Sequence, residues 1–196
     1  YNYKMFFLCK KNIMKRFLSK LIFKLNGWKI IGTRNFPKKC LVLSAPHTSN
    51  WDFMIGRCYA YILNLTPKYM IKSELFFPVL SILIKWNGGI PVYRKSKNNV
   101  VDQLVELFKN SSQLHLGITP EGTRTRVEKW KSGFHHISVK ANVPIMLVKM
   151  DYTNKEIGVI CEFKPSGNFE NDMLFIQEKY ENVKGKIPEY YNPKIF

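Results

Sequence analysis

Long apolar runs are missing from this chain of 196 residues. The longest approximation, Leu75-Phe76-Phe77-Pro78-Val79-Leu80-Ser81-Ile82-Leu83-Ile84, is interrupted by a proline and stops at Lys85. It falls well short of the ~18–20 residues that cross a bilayer, so no spanning helix is expected. No A-x-A-like cleavage site is present, which argues against a signal peptide. Acidic residues are scarce: 14 Asp+Glu stand against 31 Lys+Arg, a net charge of +17. Such a field favours an anionic partner, whether nucleic acid, an anionic membrane surface or an acidic small molecule. The excess is mainly lysine beside many Asn and Ile, a bias that an AT-rich genome also produces. The 4 cysteines, Cys9, Cys40, Cys58 and Cys161, form no C-x-x-C pair and no zinc-spaced cluster with histidine. Reduced thiols in a reducing compartment are expected, and no metal. The neighbouring His135 and His136 would point to different faces of a helix, which makes them poor joint ligands. A G-x-S-x-G elbow is missing too. So is any RNA-recognition, helix-turn-helix or finger pattern, so nucleic acid is not an expected partner.

What remains is globular, with 45% hydrophobic and 14% aromatic residues. Residues Met5 to Asn26 read as one helix ending at Gly27. Met14, Phe17, Leu18, Leu21, Ile22 and Leu25 share one face, and Lys10, Lys11, Lys15, Arg16, Lys20 and Lys24 lie on or beside the other. A basic amphipathic helix of this kind suits an anionic membrane surface, and it equally suits packing its stripe on a core. Strands are expected at 28–31, 40–44, 68–72, 90–93, 113–118 and 143–148. The last forms a hairpin with 157–163 across Asn154-Lys155. Helices are expected at about 51–64, from Ser73 through Leu83 with a kink or break at Pro78, and at 100–109, 133–142 and 169–181. Strands separated by helices mean βαβ units. The expected fold is a single α/β domain, its mostly parallel central sheet flanked by helices. Residues 1–27 would form the docking helix and 28–196 the domain proper.

In a parallel sheet, three strand-end loops fall on one edge, where open α/β folds bind ligands. In the first, His47 leaves the apolar run Cys40-Leu41-Val42-Leu43, and Asp52 follows in the first helical turn. An aspartate there can accept the second imidazole N–H, fixing the tautomer and stabilising the charge when the ring takes a proton. Capping and the helix dipole favour the same residue with no catalysis at all. The second loop, Gly88-Gly89-Ile90-Pro91-Val92-Tyr93-Arg94, delivers an arginine. The third is Thr119-Pro120-Glu121-Gly122-Thr123-Arg124-Thr125-Arg126. Arg94 and Arg124 can grip a phosphate bidentately, and Gly122 allows close backbone approach. Glu121 could order the arginines or hold the loop. Each arginine taken singly could instead be a surface ion pair.

Together these blocks resemble the glycerolipid acyltransferase family that includes the 1-acylglycerol-3-phosphate acyltransferases. Its H-x4-D block corresponds to His47 and Asp52. Its arginine-ending strand corresponds to Gly88–Arg94, its F-P-E-G-T-R-S block to Thr119–Thr125, and its V-P-I strand to Val143-Pro144-Ile145. Pro46 stands where the family often has Asn, Pro91 and Thr119 replace phenylalanines, and Thr125 replaces serine. The resemblance implies direct acyl transfer without a covalent enzyme intermediate. His47 would be the general base and Asp52 its orienter. Arg94, Glu121, Gly122, Thr123 and Arg124 would bind the acceptor's phosphate. It implies no cofactor. The donor would be acyl-CoA or acyl carrier protein, the acceptor a lysophospholipid, and the setting the cytoplasmic face of a membrane, peripherally bound in a bacterial cell. An amino-acid-containing lysolipid is an alternative acceptor. A thioesterase and a basic binding module are the competing classes.

Overall fold

The computed structural model describes residues 2–93 and 99–196. Its helices are α1 (Asn2–Asn26), α2 (Asn50–Ile62), α3 (Pro78–Trp86), α4 (Val100–Asn110), α5 (Gly133–Ala141) and α6 (Phe169–Tyr180). Its strands are β1 (Lys29–Ile31), β2 (Lys39–Ala45), β3 (Lys68–Lys72), β4 (Gly89–Val92), β5 (Leu114–Ile118), β6 (Ile145–Asp151) and β7 (Glu156–Phe163). Gly27, at φ 73°, stops α1 in the left-handed conformation that glycine adopts without a Cβ penalty. Of the kink or break expected at Pro78, the structure shows the break: a short 3₁₀ turn spans Ser73–Leu75, and Pro78 starts α3. The ring lacks an N–H and fixes φ, so the first helical position costs it nothing.

The described strands form one α/β sheet in the order β1-β7-β6-β2-β5-β3-β4. From β6 to β4 all neighbours are parallel; β7 runs antiparallel to β6, and β1 lies parallel to β7 on the far edge. β2 therefore sits between β5 and β6, with Leu43 beside Ile118 and Ala45 beside Lys149. The period-2 alternation of strands sends successive side chains to opposite faces. Leu41, Leu43, Ile145 and Leu147 enter a core covered by α4, α5 and α6. Cys40, Met146 and Val148 face the other way, toward Phe23 of α1 and Ile55, Cys58 and Tyr59 of α2.

α1 packs on the domain through Ser19 and Phe23, which are buried, while Met14, Phe17, Leu18, Leu21 and Leu25 are all exposed. Of its apolar stripe, Ile22 is partly buried against the core, and the other five residues are left uncovered. Trp51 and Met54 of α2 and Ile82, Leu83 and Trp86 of α3 add further exposed apolar side chains. The amine of Lys15 lies 4.0 Å from the centroid of the Trp86 ring. None of the described helices is long and apolar enough to cross a membrane.

Candidate active site

β2 ends at Ala45, and a four-residue turn, Pro46–Ser49, delivers the chain to α2. Ser49 caps the helix, its Oγ accepting from the Trp51 N–H at 3.3 Å. Asp52 completes a capping box, its Oδ2 accepting the N–H groups of Thr48 and Ser49 at 2.8 Å each. The same oxygen lies 3.0 Å from Nδ1 of His47. Capping and pairing with the imidazole are therefore one arrangement. Burial pushes the Asp52 carboxyl up, and hydrogen bonds from His47, Tyr152 and Ser49 outweigh it, holding the group below its usual range. An ionised Asp52 can only accept, so Nδ1 of His47 carries a proton, and in the neutral ring the lone pair falls to Nε2. The imidazole is 14% exposed, enough to meet a ligand while staying fixed.

Two residues behind this pair escaped the sequence reading in whole or part. Glu121 is buried, and its Oε1 accepts the backbone N–H of His47 at 2.9 Å. Oε2 is buried as well, with no hydrogen-bond partner among the described residues. Desolvation raises the Glu121 carboxyl to about 7 despite hydrogen bonds to its own backbone and to His47. Glu121 thus holds the turn from behind. Tyr152, one residue past β6, donates its hydroxyl to Oδ1 of Asp52 at 2.6 Å. No motif contains Tyr152; only its position at a strand exit beside β2 could have drawn notice.

The residues that follow Glu121 separate in the structure. Gly122 sits at φ 67°, where a Cβ would run into the Lys131 side chain. Gly122, Arg124 and Lys131 line a cavity of about 650 Å³ that also reaches His47 and Asp52. Arg124 has no ion-pair partner among the described residues. Thr123 turns its hydroxyl to Thr125, 3.2 Å away. Arg126 is engaged elsewhere, donating to the Tyr191 carbonyl at 3.0 Å and to Asn192 Oδ1 at 3.4 Å. Lys131 was not anticipated. Arg94 lies outside the described residues. β4, which leads to it, ends three strands from β2, roughly 14 Å at ordinary strand spacing.

The cavity's depth is apolar and comes from a split in the sheet. β3 and β5 are paired only at Lys68–Leu116 and Tyr69–Gly117. Beyond those pairs, Met70 and Ile71 on one side and Ile118 and Thr119 on the other become wall. Leu104, Phe134 and Ile137 line it from the helices. A charged mouth with a histidine–aspartate pair thus opens into a hydrocarbon-lined space of ligand size. His135 belongs to another pair, its Nε2 lying 2.7 Å from Asp172 Oδ2 in the core. No group of metal-ligating residues occurs among those described.

An open α/β sheet with a histidine–aspartate turn at its carboxyl edge, beside a Pro-Glu-Gly-Thr-Arg loop, defines a class. The family model described as Acyltransferase matches residues 27–150, and the chain belongs to that family. A 1-acyl-sn-glycerol-3-phosphate acyltransferase of Saccharomyces cerevisiae is 28% identical over 134 residues, covering 64% of this chain and 43% of that protein. One of the same name from Haemophilus influenzae is 29% identical over 129 residues, covering 59% of this chain and 53% of that protein. The chain thus spans about half the length of these curated relatives. Among solved structures, the 1-acyl-sn-glycerophosphate (LPA) acyltransferase PlsC of Thermotoga maritima shares the fold. The TM-score is 0.58 at 19% identity, over 85% of this chain and 75% of that one.

Proposed function

We propose that the protein transfers a fatty acyl group from an acyl thioester to the free hydroxyl of a lysophospholipid, lysophosphatidate being the favoured acceptor. The observation that carries this reading is the 3.0 Å contact between His47 Nδ1 and Asp52 at the mouth of the apolar cavity. Nε2 of His47 takes the proton of the acceptor hydroxyl as its oxygen attacks the thioester carbonyl carbon. The tetrahedral intermediate collapses, the C–S bond breaks, and the imidazolium returns the proton to the departing thiolate. Asp52 stabilises the imidazolium between these two steps. Lysophosphatidate carries its hydroxyl near a phosphate, and Arg124, aided by Gly122, Thr123 and Lys131, supplies the anion site, with Arg94 as a further cation. Glu121 serves that loop by holding the His47 turn. The apolar depth accepts acyl chain. The thiol carrier is coenzyme A or acyl carrier protein, and no cofactor takes part.

The exposed stripe of α1, flanked by lysines, supports peripheral docking on the anionic cytoplasmic face of a cell membrane. A lysolipid panel with both donor types, run on the wild type and on His47→Ala, tests the assignment. General-base catalysis is typically worth ~10²–10⁴ in rate, so the variant should lose at least that. Transfer by a folded His47→Ala protein at wild-type rate would sink the mechanism. Preference for an amino-acid-containing lysolipid would change the acceptor alone. Release of free fatty acid with no acylated lipid would make the protein a thioesterase.

A further inference from the structure

Asp52 is held through both of its oxygens, and the two are held differently. Oδ2 takes the N–H groups of Thr48 and Ser49 as well as Nδ1 of His47. Oδ1 takes the Tyr152 hydroxyl at 2.6 Å, the one donor to it among the described residues. The phenol is itself fixed from two sides. Its ring stands edge-on to Trp28 with centroids 5.0 Å apart. Its backbone N–H donates to the Lys184 carbonyl at 3.0 Å. Burial and the Asp52 charge raise the phenol above its ordinary range, so it remains a donor wherever the enzyme could work.

We propose that Tyr152 is a positioning residue for acyl transfer, fixing the rotation of the Asp52 carboxylate and limiting how strongly that carboxylate draws on His47. The proposal rests on the general-base reading of His47. A short hydrogen bond to Oδ1 disperses the carboxylate's charge away from Oδ2. Without it, the charge on Oδ2 binds the imidazolium more tightly, and the carboxylate is freer to swing. The first effect makes His47 more basic; the second lowers the rate. Other titratable or charged groups around His47 include Glu121, behind its backbone, and Arg57, Tyr59, Lys68, Tyr69, His115, Arg124 and Lys131 along the cavity. All of them are common to the wild type and any Tyr152 variant, so a difference between them isolates the phenol.

Two proteins test this, Tyr152→Phe and the full chain carrying 3-fluorotyrosine at position 152. Fluorination leaves the packing nearly intact and makes the phenol a stronger donor, so the two changes should act with opposite sign. The readouts are kcat and KM for lysophosphatidate with acyl-CoA, and the titration midpoint of the His47 imidazole by NMR. Tyr152→Phe should lower kcat about tenfold, the worth of one charge-assisted hydrogen bond, with KM within about twofold. The His47 midpoint should rise by ~0.5 pH unit in Tyr152→Phe and fall in the fluorotyrosine protein. An unmoved midpoint in both proteins overturns the proposal, even if kcat drops, because a merely structural tyrosine would behave that way. Should Tyr152→Phe not fold, the fluorotyrosine protein alone decides. The NMR midpoint needs no turnover, so failure of the base reading, seen as an active His47→Ala protein, is a separate result.

Discussion

Oε1 of Glu121 accepts the backbone N–H of His47 at 2.9 Å, across 74 residues of sequence. The loop that leaves β5 is therefore tied to the turn that leaves β2, at two neighbouring strand exits. A carboxylate is suited to this, because it accepts from a backbone donor in a space too dry for water to do so. Its second oxygen has no partner among the described residues, which makes the charged form costly.

That cost gives a pH dependence with a definite sign. The folded-state value of about 7 lies above the ordinary carboxyl value of 4.5. Between the two, the native state holds a proton that the unfolded state has released, so this group's contribution to stability falls as pH rises toward 7. Glu121→Gln keeps an acceptor for the His47 N–H and cannot ionise. Its melting temperature should therefore fall less than that of the wild type between pH 5 and pH 8. Parallel Tm curves for the two proteins would count against a titrating Glu121.

Arg124 should act on the acceptor's phosphate. Arg124→Ala is expected to raise KM for lysophosphatidate about 10–100-fold, the range for removing one charge-assisted contact to a phosphate. Arg124→Lys should recover only part of that, since an ammonium offers a point charge where a guanidinium offers a planar fork. A neutral lysolipid acceptor, assayed beside it, should show much smaller effects. Equal losses on both acceptors would remove Arg124 from the anion site.

Tyr180 ties the sheet together below the site. Fully buried on α6, it directs its hydroxyl to the carbonyls of Leu43 at 2.8 Å and Val148 at 3.1 Å, near the ends of β2 and β6. Tyr180→Phe removes the donor while leaving the ring. Denaturant unfolding should report a loss of about 1–3 kcal/mol, the cost of leaving buried acceptors unpaired. Wild-type stability would mean that those carbonyls find other partners.

The exposed stripe of α1 predicts a membrane phenotype without a folding one. Phe17→Glu with Leu21→Glu should abolish binding to vesicles containing anionic phospholipid and leave Tm within about 2 °C, as expected of surface positions. A large fall in Tm would show instead that these side chains help to hold the fold.

How much of this was legible in the sequence follows from the range of each interaction. The turn from β2 to α2 is a local object: a short apolar strand, a serine cap, and an aspartate three positions after the cap. Its hydrogen bonds span at most five residues, so the His47–Asp52 pair could be read from spacing. The antiparallel β6–β7 hairpin was legible for the same reason. Pro78 was a breaker in either reading, and only the fold showed it as a helix start. The motif match already placed Arg124, and not Arg126, in the phosphate site. The structure sends one to the cavity and the other to Tyr191 and Asn192, because that backbone happens to pack alongside.

The sequence by itself determined the elements, the βαβ succession and the histidine–aspartate turn, since backbone hydrogen bonding, capping and hydrophobic period act over a few residues. The tertiary structure decided the strand order and the split that opens the apolar cavity. It also set Glu121 behind His47 and brought Tyr152 to Asp52 across 100 residues. Those outcomes depend on which apolar faces bury one another, and a period read along one segment does not name its partner.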